Sequence, residues 1–583
     1  MSAPNRNTLW GETIIEALVE HSVRAVCLSP GSRSTPLAVA AARHPEMTVY
    51  SHLDERSGGF FALGRGRRTG EPTAVICTSG TAGANYHPAV MEANEGRVPM
   101  IVLTADRPPE LQDSGANQTT DQEKLYGDAV RYYRTLPEPE PDARKLRSLR
   151  VTLARAVNEA RDTPAGPVHL NVPFRKPLEP TPVEGDVPEE FADASSQGAG
   201  SRDGPAVQIT RGKRELQPEQ LDELTQLLDA AKRGLIVCGP ATEPTPSRDS
   251  LAAVADTTGF PVLADPLSGH RFGHRIDSVP VCGGYDSYLA GVDWPEPDVV
   301  LRFGASPTSK VLRKYLAGTE TRQLLVDPAG GWREAEFTAT DLVTADETHF
   351  AEALSQYDIS TCRDTYRERF RAAEKRYWQL VSEGCNTEWF EGAVLAAVAE
   401  NLPDPSTCFV SNSMPVRDLD RFGRPREATV SVLGNRGVSG IDGIVSSGLG
   451  AGSATDDPLV LVLGDLAFYH DMNGLLALER CGVDGTIVLL DNDGGGIFHK
   501  LPIEQFDPPF TEQFKTPHGL DFSPAGELYD FDFERIASRQ EFLAAFERSL
   551  ERDGTQLLSV AFDSEESHRF REQLHEQVCR EIE

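Results

Sequence analysis

The stretch from Leu459 to Phe498 constrains the fold of this chain more than any other part of it. Two short apolar runs, Leu459–Leu463 and Thr486–Leu490, are separated by a segment whose apolar residues recur at helical spacing. Short β-rich runs joined by a helix predict a βαβ unit with parallel strands. Because ligands of such sheets gather at the carboxyl ends of the strands, Asp465 and Asn492, which follow the two runs, are candidate ligand-binding residues.

One anionic and one neutral oxygen ligand followed by glycines suit a hard cation such as Mg²⁺. The order Gly-Asp, a spacer and Asn, with Asn492 placed 27 positions after Asp465, resembles the thiamine-diphosphate signature. The resemblance implies that Asp465, Asn492 and the backbone carbonyl of Gly494 bind Mg²⁺, or Mn²⁺, which in turn holds the diphosphate. Taken by itself, Gly-Asp at the end of a strand is also common as a simple turn.

Length and charge narrow the class of protein. A chain of 583 residues should contain about three domains, and 39% hydrophobic residues can form a large core. The net charge of −32 argues against nucleic acid as a partner. Most of the basic residues are Arg, and this acidic, Lys-poor composition resembles that of proteins adapted to high salt, where charges are strongly screened.

The cysteines and the apolar segments indicate the cellular compartment. Nine cysteines are scattered without a CxxC pair, so buried thiols are expected in place of disulfides or a zinc site. The N-terminus lacks the layout of a signal peptide, and no apolar stretch approaches the ~20 residues that span a bilayer. We therefore expect a cytoplasmic protein with no membrane span.

Alternating strand and helix patterns divide the chain into three α/β blocks. We predict domains at 1–180, 206–360 and 386–583, a Pro/Gly/Ser-rich linker at 181–205 and a connecting helix at 361–385. The repeated β-loop-α order predicts doubly wound parallel sheets covered on both faces. This architecture resembles that of thiamine-diphosphate enzymes of the decarboxylase type. The resemblance implies that the first block binds the pyrimidine ring of the cofactor and the third its diphosphate.

Glu55 follows the second predicted strand of the first block. Locally it is better explained as an acid in the first turn of a helix, where negative charge is favoured. The resemblance implies a catalytic role, since enzymes of this type keep a Glu at this place to hydrogen-bond the N1′ atom of the pyrimidine ring.

Six further motifs narrow the resemblance: LSPGSRSTPLA, LTADRPPEL, DSGANQTTDQ, RFGASPTSK, SNSMPVRDLD and LGNRGVSGIDG. They span all three blocks and are similar to those of the 2-succinyl-5-enolpyruvyl-6-hydroxy-3-cyclohexene-1-carboxylate synthase family. Membership implies decarboxylation of 2-oxoglutarate and addition of the succinyl unit to isochorismate, a step of menaquinone biosynthesis. Both substrates carry two carboxylates, which arginine binds bidentately.

The resemblance also implies roles for individual residues. The isochorismate site would contain Ser32, Arg33, Arg107, Asn117, Gln118 and Lys310. The succinyl carboxylate would be held by Ser413, Arg417 and Arg436, and the substrate side would be walled by Phe498 and Leu501. Further cofactor contacts would come from Asn412, Ser413, Gly440, Ile441 and Leu466, with Ile441 wedged beneath the cofactor. For each arginine alone, a surface ion pair is an equally good explanation.

The same residues leave three alternative functions open, and the resemblance implies a homo-oligomer. The alternatives are another thiamine-diphosphate decarboxylase or carboligase of the acetolactate-synthase kind, a non-catalytic protein of the same fold, and a dinucleotide oxidoreductase. The last is disfavoured because GLGAGS lies within a predicted helix and does not follow a strand. In the resembling family Glu55 and Asp465 would come from different chains, so a homodimer or homotetramer is expected, with active sites at the subunit interface.

Overall fold

The computed structural model describes residues 3–188, 191, 204–273, 275–291, 294–359 and 364–582. Within these residues the chain forms three six-stranded sheets, each built from parallel strand pairs. This confirms the predicted α/β class with three doubly wound parallel sheets. Most of the predicted linker, at 189–190 and 192–203, and the first residues of the predicted connecting helix, at 361–363, lie outside the described residues.

The first sheet lies between residues 25 and 173. Its strands are β1 (Ala25–Leu28), β2 (Thr48–Ser51), β3 (Thr73–Cys77), β4 (Met100–Asp106), β5 (Tyr132–Thr135) and β6 (Pro167–Pro173). Its helices are α1 (Arg6–Glu20), α2 (Thr35–Arg43), α3 (Glu55–Thr69), α4 (Thr81–Asn85), α5 (His87–Gly96) and α6 (Ala143–Arg161). The strand order is β2-β1-β3-β4-β6-β5.

The second sheet has the order β12-β11-β10-β7-β8-β9. Its strands are β7 (Gly234–Cys238), β8 (Val262–Ala264), β9 (Val281–Cys282), β10 (Val299–Phe303), β11 (Arg322–Val326) and β12 (Asp341–Val343). The helices of this part of the chain are α7 (Pro218–Ala230), α8 (Arg248–Thr258), α9 (Tyr285–Tyr288), α10 (Lys310–Ala317), α11 (Glu347–Leu354) and α12 (Asp364–Thr387). The last of these covers the described part of the predicted connecting helix.

The third sheet repeats the strand order of the first, as β14-β13-β15-β16-β18-β17. Its strands are β13 (Ser406–Val410), β14 (Val430–Leu433), β15 (Leu459–Gly464), β16 (Thr486–Asp491), β17 (Asp532–Ile536) and β18 (Gln556–Ala561). The helices are α13 (Glu391–Asn401), α14 (Met414–Phe422), α15 (Ile444–Gly452), α16 (Asp465–His470), α17 (Ala477–Cys481), α18 (Pro524–Tyr529), α19 (Arg539–Glu551) and α20 (Ser564–Glu581). The predicted βαβ unit is present, since β15 and β16 pair in parallel.

Two predicted helices are interrupted. The strand and helix pattern of the first block predicts a helix over Ala84–Asn94. The structure divides it into α4 and α5, and Pro88, which has no N–H to donate, stands in the first turn of α5. The helical spacing of the apolar residues after Asp465 predicts one helix. The structure instead has α16, a 3₁₀ turn at Met472–Leu476 and α17 there.

The chain forms two compact units. The first comprises Met1–Arg211 together with Asn435–Asp456 and His470–Val483, and the second comprises Gly212–Gly434, Asp457–Tyr469 and Asp484–Glu583. The first unit therefore holds the first sheet and helices α15 and α17, while the second unit holds the other two sheets. The boundaries 1–180, 206–360 and 386–583 stay a prediction.

The described cysteines are free thiols, and six of them are buried: Cys27, Cys77, Cys238, Cys282, Cys385 and Cys408. Cys362 lies outside the described residues. Among the residues placed in the structure, no helix is both long enough and apolar enough to cross a membrane.

Candidate active site

A buried carboxylate lies at the carboxyl ends of β15 and β16. These strands are neighbours, with Gly464 paired to Leu490, so the residues that follow them are brought together. The Oδ2 atom of Asp465 accepts hydrogen bonds from the backbone N–H of Asn492 at 3.1 Å and of Gly494 at 2.9 Å. The carboxylate is thus fixed by the loop that carries the other predicted cation ligands, as the adjacent strand ends predict.

The Asn492 amide is oriented by a residue that the sequence did not indicate. Its Nδ2 atom donates to Oε1 of Glu391 at 2.6 Å, and Glu391 is buried and paired with Arg571. Arg571 also contacts both carboxylate oxygens of Asp418, at 2.7 and 2.6 Å. Because Nδ2 is engaged in this way, Oδ1 of Asn492 is buried without a hydrogen-bond partner among the described residues, as a cation ligand would be.

Gly494 requires the conformation that only glycine adopts readily. Its φ is +128°, and a Cβ atom there would lie 2.0 Å from the carbonyl oxygen of Lys515. The position therefore permits a close backbone approach that a larger residue would prevent.

Two further side chains approach the same carboxylate. His518 Nε2 lies 3.3 Å from Oδ2 of Asp465, and ligand atoms of Asp465, Asp491 and His518 lie within 4.8 Å of one another. Burial raises the pKa of Asp465 to about 6, the Asp491 charge adds to this increase, and the backbone N–H groups and His518 oppose it. A carboxylate and an amide oxygen that has no hydrogen-bond partner among the described residues are oxygen donors of the kind that Mg²⁺ accepts, so these residues fit this cation.

The residues predicted around the cofactor in the second unit follow β13, the strand beside β15. Asn412 is buried, and Ser413 adopts a φ of +69° where α14 begins. Arg417, in the first turns of α14, donates from Nη1 to the carbonyl oxygen of Ser413. The strand order reverses between β13 and β15, since β14 lies on one side of β13 and the later strands lie on the other, and open α/β sheets bind ligands at such a switch point. Leu466 is half-buried next to Asp465.

Phe498 lies on the 3₁₀ turn Gly496–Lys500 and contacts Phe514 edge-on. Leu501 follows the end of this turn and is exposed. Lys310 is the exposed first residue of α10. The Ser309 side chain before it contacts Asp286, which pairs with Arg421 and not with the cation-site residues.

Basic residues meet at the carboxyl ends of β1, β3 and β4 in the first unit. Arg33 is buried, donates from its backbone N–H to Oγ1 of Thr78 at 3.2 Å, and is held by a bond from Nη1 to the Phe174 carbonyl at 2.7 Å. Burial and the nearby Arg107 charge both lower the pKa of Arg33. The Asp106 charge opposes this decrease. Ser32, beside Arg33, is exposed.

The loop after β4 carries Arg107, Asn117 and Gln118. Gln118 bonds reciprocally with Ser79, through Nε2 to the Ser79 carbonyl at 3.1 Å and from Ser79 Oγ to the Gln118 carbonyl at 3.0 Å. The same carbonyl accepts from Nε of Arg107 at 3.3 Å. The structure thus brings Arg33, Arg107 and Gln118 together, and Asn117 is exposed beside them.

Gln122 anchors this loop, although no local sequence pattern indicates it. Its buried Oε1 accepts from the N–H of Gly80 at 2.8 Å, and its Nε2 donates to Oδ1 of Asn171 at 2.9 Å. Asn171 in turn donates to Asp106 at 2.8 Å. A cavity of about 890 Å³ lies beside this network and is lined by Arg107.

Glu55 is the half-buried first residue of α3, with Asp54 as the N-cap. Its Oε2 accepts from Nδ2 of Asn85 at 3.5 Å. Glu55 therefore lies in the first turn of a helix, as its local sequence predicts. Its catalytic role stays a prediction.

Arg436, Gly440 and Ile441 lie on the loop between β14 and α15, are half-buried and belong to the first unit. Arg436 is thus in a different unit from Ser413 and Arg417, the other residues predicted to hold the succinyl carboxylate.

Comparisons with known proteins show the fold and the family of this chain. Three family profiles match in order: the N-terminal binding domain of thiamine pyrophosphate enzymes at residues 10–125, the middle domain at 207–410 and the C-terminal binding domain at 419–560. The chain is similar in fold to a thiamine-diphosphate-dependent 4-hydroxybenzoylformate decarboxylase of Rhodococcus jostii RHA1, with a TM-score of 0.71 and 18% identity over 95% of this chain and 99% of that one.

Two similar relatives carry one name. The 2-succinyl-5-enolpyruvyl-6-hydroxy-3-cyclohexene-1-carboxylate synthase of Haloarcula marismortui is 59% identical over 99% of each chain. The protein of the same name from Halobacterium salinarum is also 59% identical, again over 99% of each chain. The chain therefore belongs to the 2-succinyl-5-enolpyruvyl-6-hydroxy-3-cyclohexene-1-carboxylate synthase family of thiamine-diphosphate-dependent enzymes.

Proposed function

We propose that this protein decarboxylates 2-oxoglutarate and adds the succinyl unit to isochorismate, giving 2-succinyl-5-enolpyruvyl-6-hydroxy-3-cyclohexene-1-carboxylate. The observation that carries the proposal is the Asp465 carboxylate bound to the backbone N–H of Asn492, whose buried Oδ1 has no hydrogen-bond partner among the residues that the structure describes, in a chain of this family. Bound thiamine diphosphate supplies the electron sink for decarboxylation and carbon–carbon bond formation.

The protein's own residues bind and orient the cofactor. Asp465, Asn492 and the Gly494 carbonyl would hold Mg²⁺, and the cation would hold the diphosphate. Glu55 would hydrogen-bond the pyrimidine ring and hold a proton at its N1′ nitrogen. The Glu391 carboxylate would keep Oδ1 of Asn492 directed to the cation, because it accepts the Nδ2 hydrogen bond.

Substrate recognition would depend on arginine. Arg33 and Arg107 are close enough to interact electrostatically, which supports a role in binding the carboxylates of isochorismate together with Gln118. Ser32, Asn117 and Lys310 are proposed for the same substrate. Ser413, Arg417 and Arg436 are proposed for the succinyl carboxylate, with Phe498 and Leu501 excluding water beside it. Asn412, Gly440, Ile441 and Leu466 are proposed as cofactor contacts.

A direct test is to incubate the purified protein with thiamine diphosphate, Mg²⁺, 2-oxoglutarate and isochorismate at high salt, and to follow isochorismate loss and product formation. We expect loss of isochorismate that requires all four components. Turnover with another acceptor at the full rate, or with another 2-oxoacid only, would instead indicate a different carboligase.

We further propose a cytoplasmic homo-oligomer, dimer or tetramer, in which Glu55 of one subunit and Asp465 of another serve one site. Glu55→Gln and Asp465→Asn chains should each lose at least about 100-fold in kcat. When the two inactive chains are unfolded together and refolded, about a quarter of the wild-type activity should return, since half of the dimers are mixed and each keeps one intact site. No recovery would place both residues of a site in one chain. Asp54→Asn, which keeps an N-cap beside Glu55, is the matched control.

A further inference from the structure

A single buried carboxylate holds the loop that carries three of the predicted site residues. Glu92 lies on α5, and its Oε1 accepts from the N–H of Gly437 at 2.7 Å. Its Oε2 accepts from the N–H of Val438 at 2.7 Å and of Ser439 at 3.3 Å. Three consecutive backbone donors therefore point at one side chain, all within the first unit.

The charge of Glu92 is balanced by Arg67 on α3. The Nη2 atom of Arg67 lies 3.1 Å from Oε1 of Glu92, and the two side chains are 6% and 4% exposed. Burying an ion pair costs desolvation free energy, and further hydrogen bonds to the charged groups offset part of this cost. Here the loop amides supply such hydrogen bonds to Glu92. The loop amides are therefore part of the way in which this carboxylate is satisfied.

Gly437 brings the loop into direct backbone contact with the end of α5. A Cβ atom at this position would lie 2.6 Å from the backbone nitrogen of Gly96 and 2.7 Å from the carbonyl oxygen of Glu92. This contact of Gly437 is independent of the hydrogen bonds, and it holds the start of the same loop segment against the same helix.

We propose that Glu92 is a positioning residue for the 2-oxoglutarate side of the reaction. Arg436 directly precedes the held amides, and Gly440 and Ile441 directly follow them, so the carboxylate fixes the backbone on both sides. The inference rests on the proposed function, because it takes Arg436 to bind the succinyl carboxylate. Glu92 itself contacts neither substrate nor cofactor in this proposal.

A role limited to stability makes a different prediction. The isochorismate residues Arg33, Arg107 and Gln118 lie on other loops, held by Thr78 and Ser79. Release of the loop after β14 should therefore raise the KM for 2-oxoglutarate and leave the KM for isochorismate unchanged. General loss of stability would affect both substrates alike.

The test compares Glu92→Gln with Glu20→Gln. In the first variant one oxygen becomes an NH₂ group that faces backbone donors. The control changes another ion pair of the same unit, between Glu20 and Arg150 at 3.1 Å, in which Arg150 is 3% exposed. We expect a KM for 2-oxoglutarate about tenfold higher in Glu92→Gln, an isochorismate KM within about twofold of wild type, and neither change in Glu20→Gln. Equal changes in both KM values, or none, would overturn the proposal.

Two further measurements keep the test decisive. If Glu92→Gln does not fold, Glu92→Asp keeps the charge beside Arg67 but withdraws the carboxylate by one methylene, and the same KM difference is expected. In the unaltered protein, the amides of residues 437–439 should exchange at least about 100-fold more slowly than unprotected amides, although Val438 is 50% exposed. Rapid exchange there would contradict the hydrogen bonds. If the wild type shows no turnover, the proposed function is rejected. The exchange measurement then tests only whether Glu92 holds the loop.

Discussion

Asp471 shows how one buried carboxylate can act on the stability of a helix end. It is fully buried, and its two oxygens accept from the N–H of Ser446 at 2.7 Å and from Oγ of Ser446 at 3.1 Å. Ser446 lies in the first turn of α15, whose N–H groups have no partner within the helix. Burial raises the pKa of Asp471 from 3.8 to about 6, with Arg56 opposing the change and Asp54 adding to it.

This shift predicts a pH dependence. Because the native state holds the proton more tightly than the unfolded state, the stability due to this group is full below about pH 4 and is lost as the pH rises through 6. The loss corresponds to about 3 kcal/mol. Asn can keep both bonds to Ser446, so Asp471→Asn should raise the free energy of unfolding at pH 7.5 and change it little at pH 4. Urea unfolding at the two pH values measures this, and equal effects at both would contradict it.

Glu391 gives a prediction about the cation. In Glu391→Gln the Arg571 guanidinium keeps its two bonds to Asp418. The new NH₂ group can take the position of the carboxylate oxygen that now accepts from Nδ2 of Asn492, and an NH₂ group cannot accept that bond. The Asn492 amide then loses its fixed orientation. We expect Mg²⁺ to bind about 10- to 100-fold more weakly in the presence of thiamine diphosphate, as measured by calorimetry. Saturating Mg²⁺ should restore cofactor binding, and an unchanged Mg²⁺ affinity would show that Glu391 does not orient the ligand.

The sequence predicted the charged ends of strands but not the residues behind them. Asp465 and Asn492 could be found because strand ends are marked by local patterns, and adjacent parallel strands bring their ends together. Glu391, Glu92 and Gln122 act across 101, 345 and 42 positions of the chain, and no local pattern encodes such a separation. His518, close to Asp465, was missed for the same reason.

At the scale of elements, α3 and α15 cross at two glycines. A Cβ atom on Gly450 would lie 2.0 Å from the carbonyl oxygen of Phe61, and one on Gly64 would lie 1.9 Å from that of Ser447. The helices therefore pack backbone against backbone. The sequence showed GLGAGS as helical, and the structure confirms the helix, but the reason for its glycines is a partner helix far away in the chain.

This contact predicts the effect of one methyl group. Alanine favours a helix over glycine by about 1 kcal/mol, yet Gly450→Ala should destabilise the first unit by about 1–3 kcal/mol, because the two helices must move apart. Thermal unfolding checks the change. Gly212→Ala, outside the helices and in the second unit, is the control for a glycine without close neighbours, since a Cβ atom there meets nothing within 4 Å. A more stable Gly450→Ala variant would mean that the helices are not held at this distance.

At the scale of the whole molecule, the first and third sheets share one strand order. The sequence predicted three doubly wound sheets, because the β-loop-α rhythm is local. It could not predict that α15 and α17 belong to the first compact unit, since that assignment depends on which buried surfaces meet.

The charge of the molecule gives the last prediction. A net charge of −32 on 583 residues opposes compaction by self-repulsion, and this repulsion falls as the Debye length shortens from about 10 Å at 0.1 M salt to about 3 Å at 1 M. The melting temperature should therefore rise steeply with KCl up to about 1 M. Buried pairs such as Arg67–Glu92 and Arg571–Asp418 are shielded from ions and should not weaken over this range.

Sucrose separates screening from a general strengthening of hydrophobic burial, because it is excluded from protein surfaces without carrying charge. If self-repulsion limits stability, KCl should stabilise the protein at concentrations where sucrose has little effect, and lowering the pH toward 4.8, where the net charge vanishes, should reduce the salt effect. A melting temperature that does not change between 0.1 and about 1 M KCl would show that repulsion among the excess acidic charges does not limit stability.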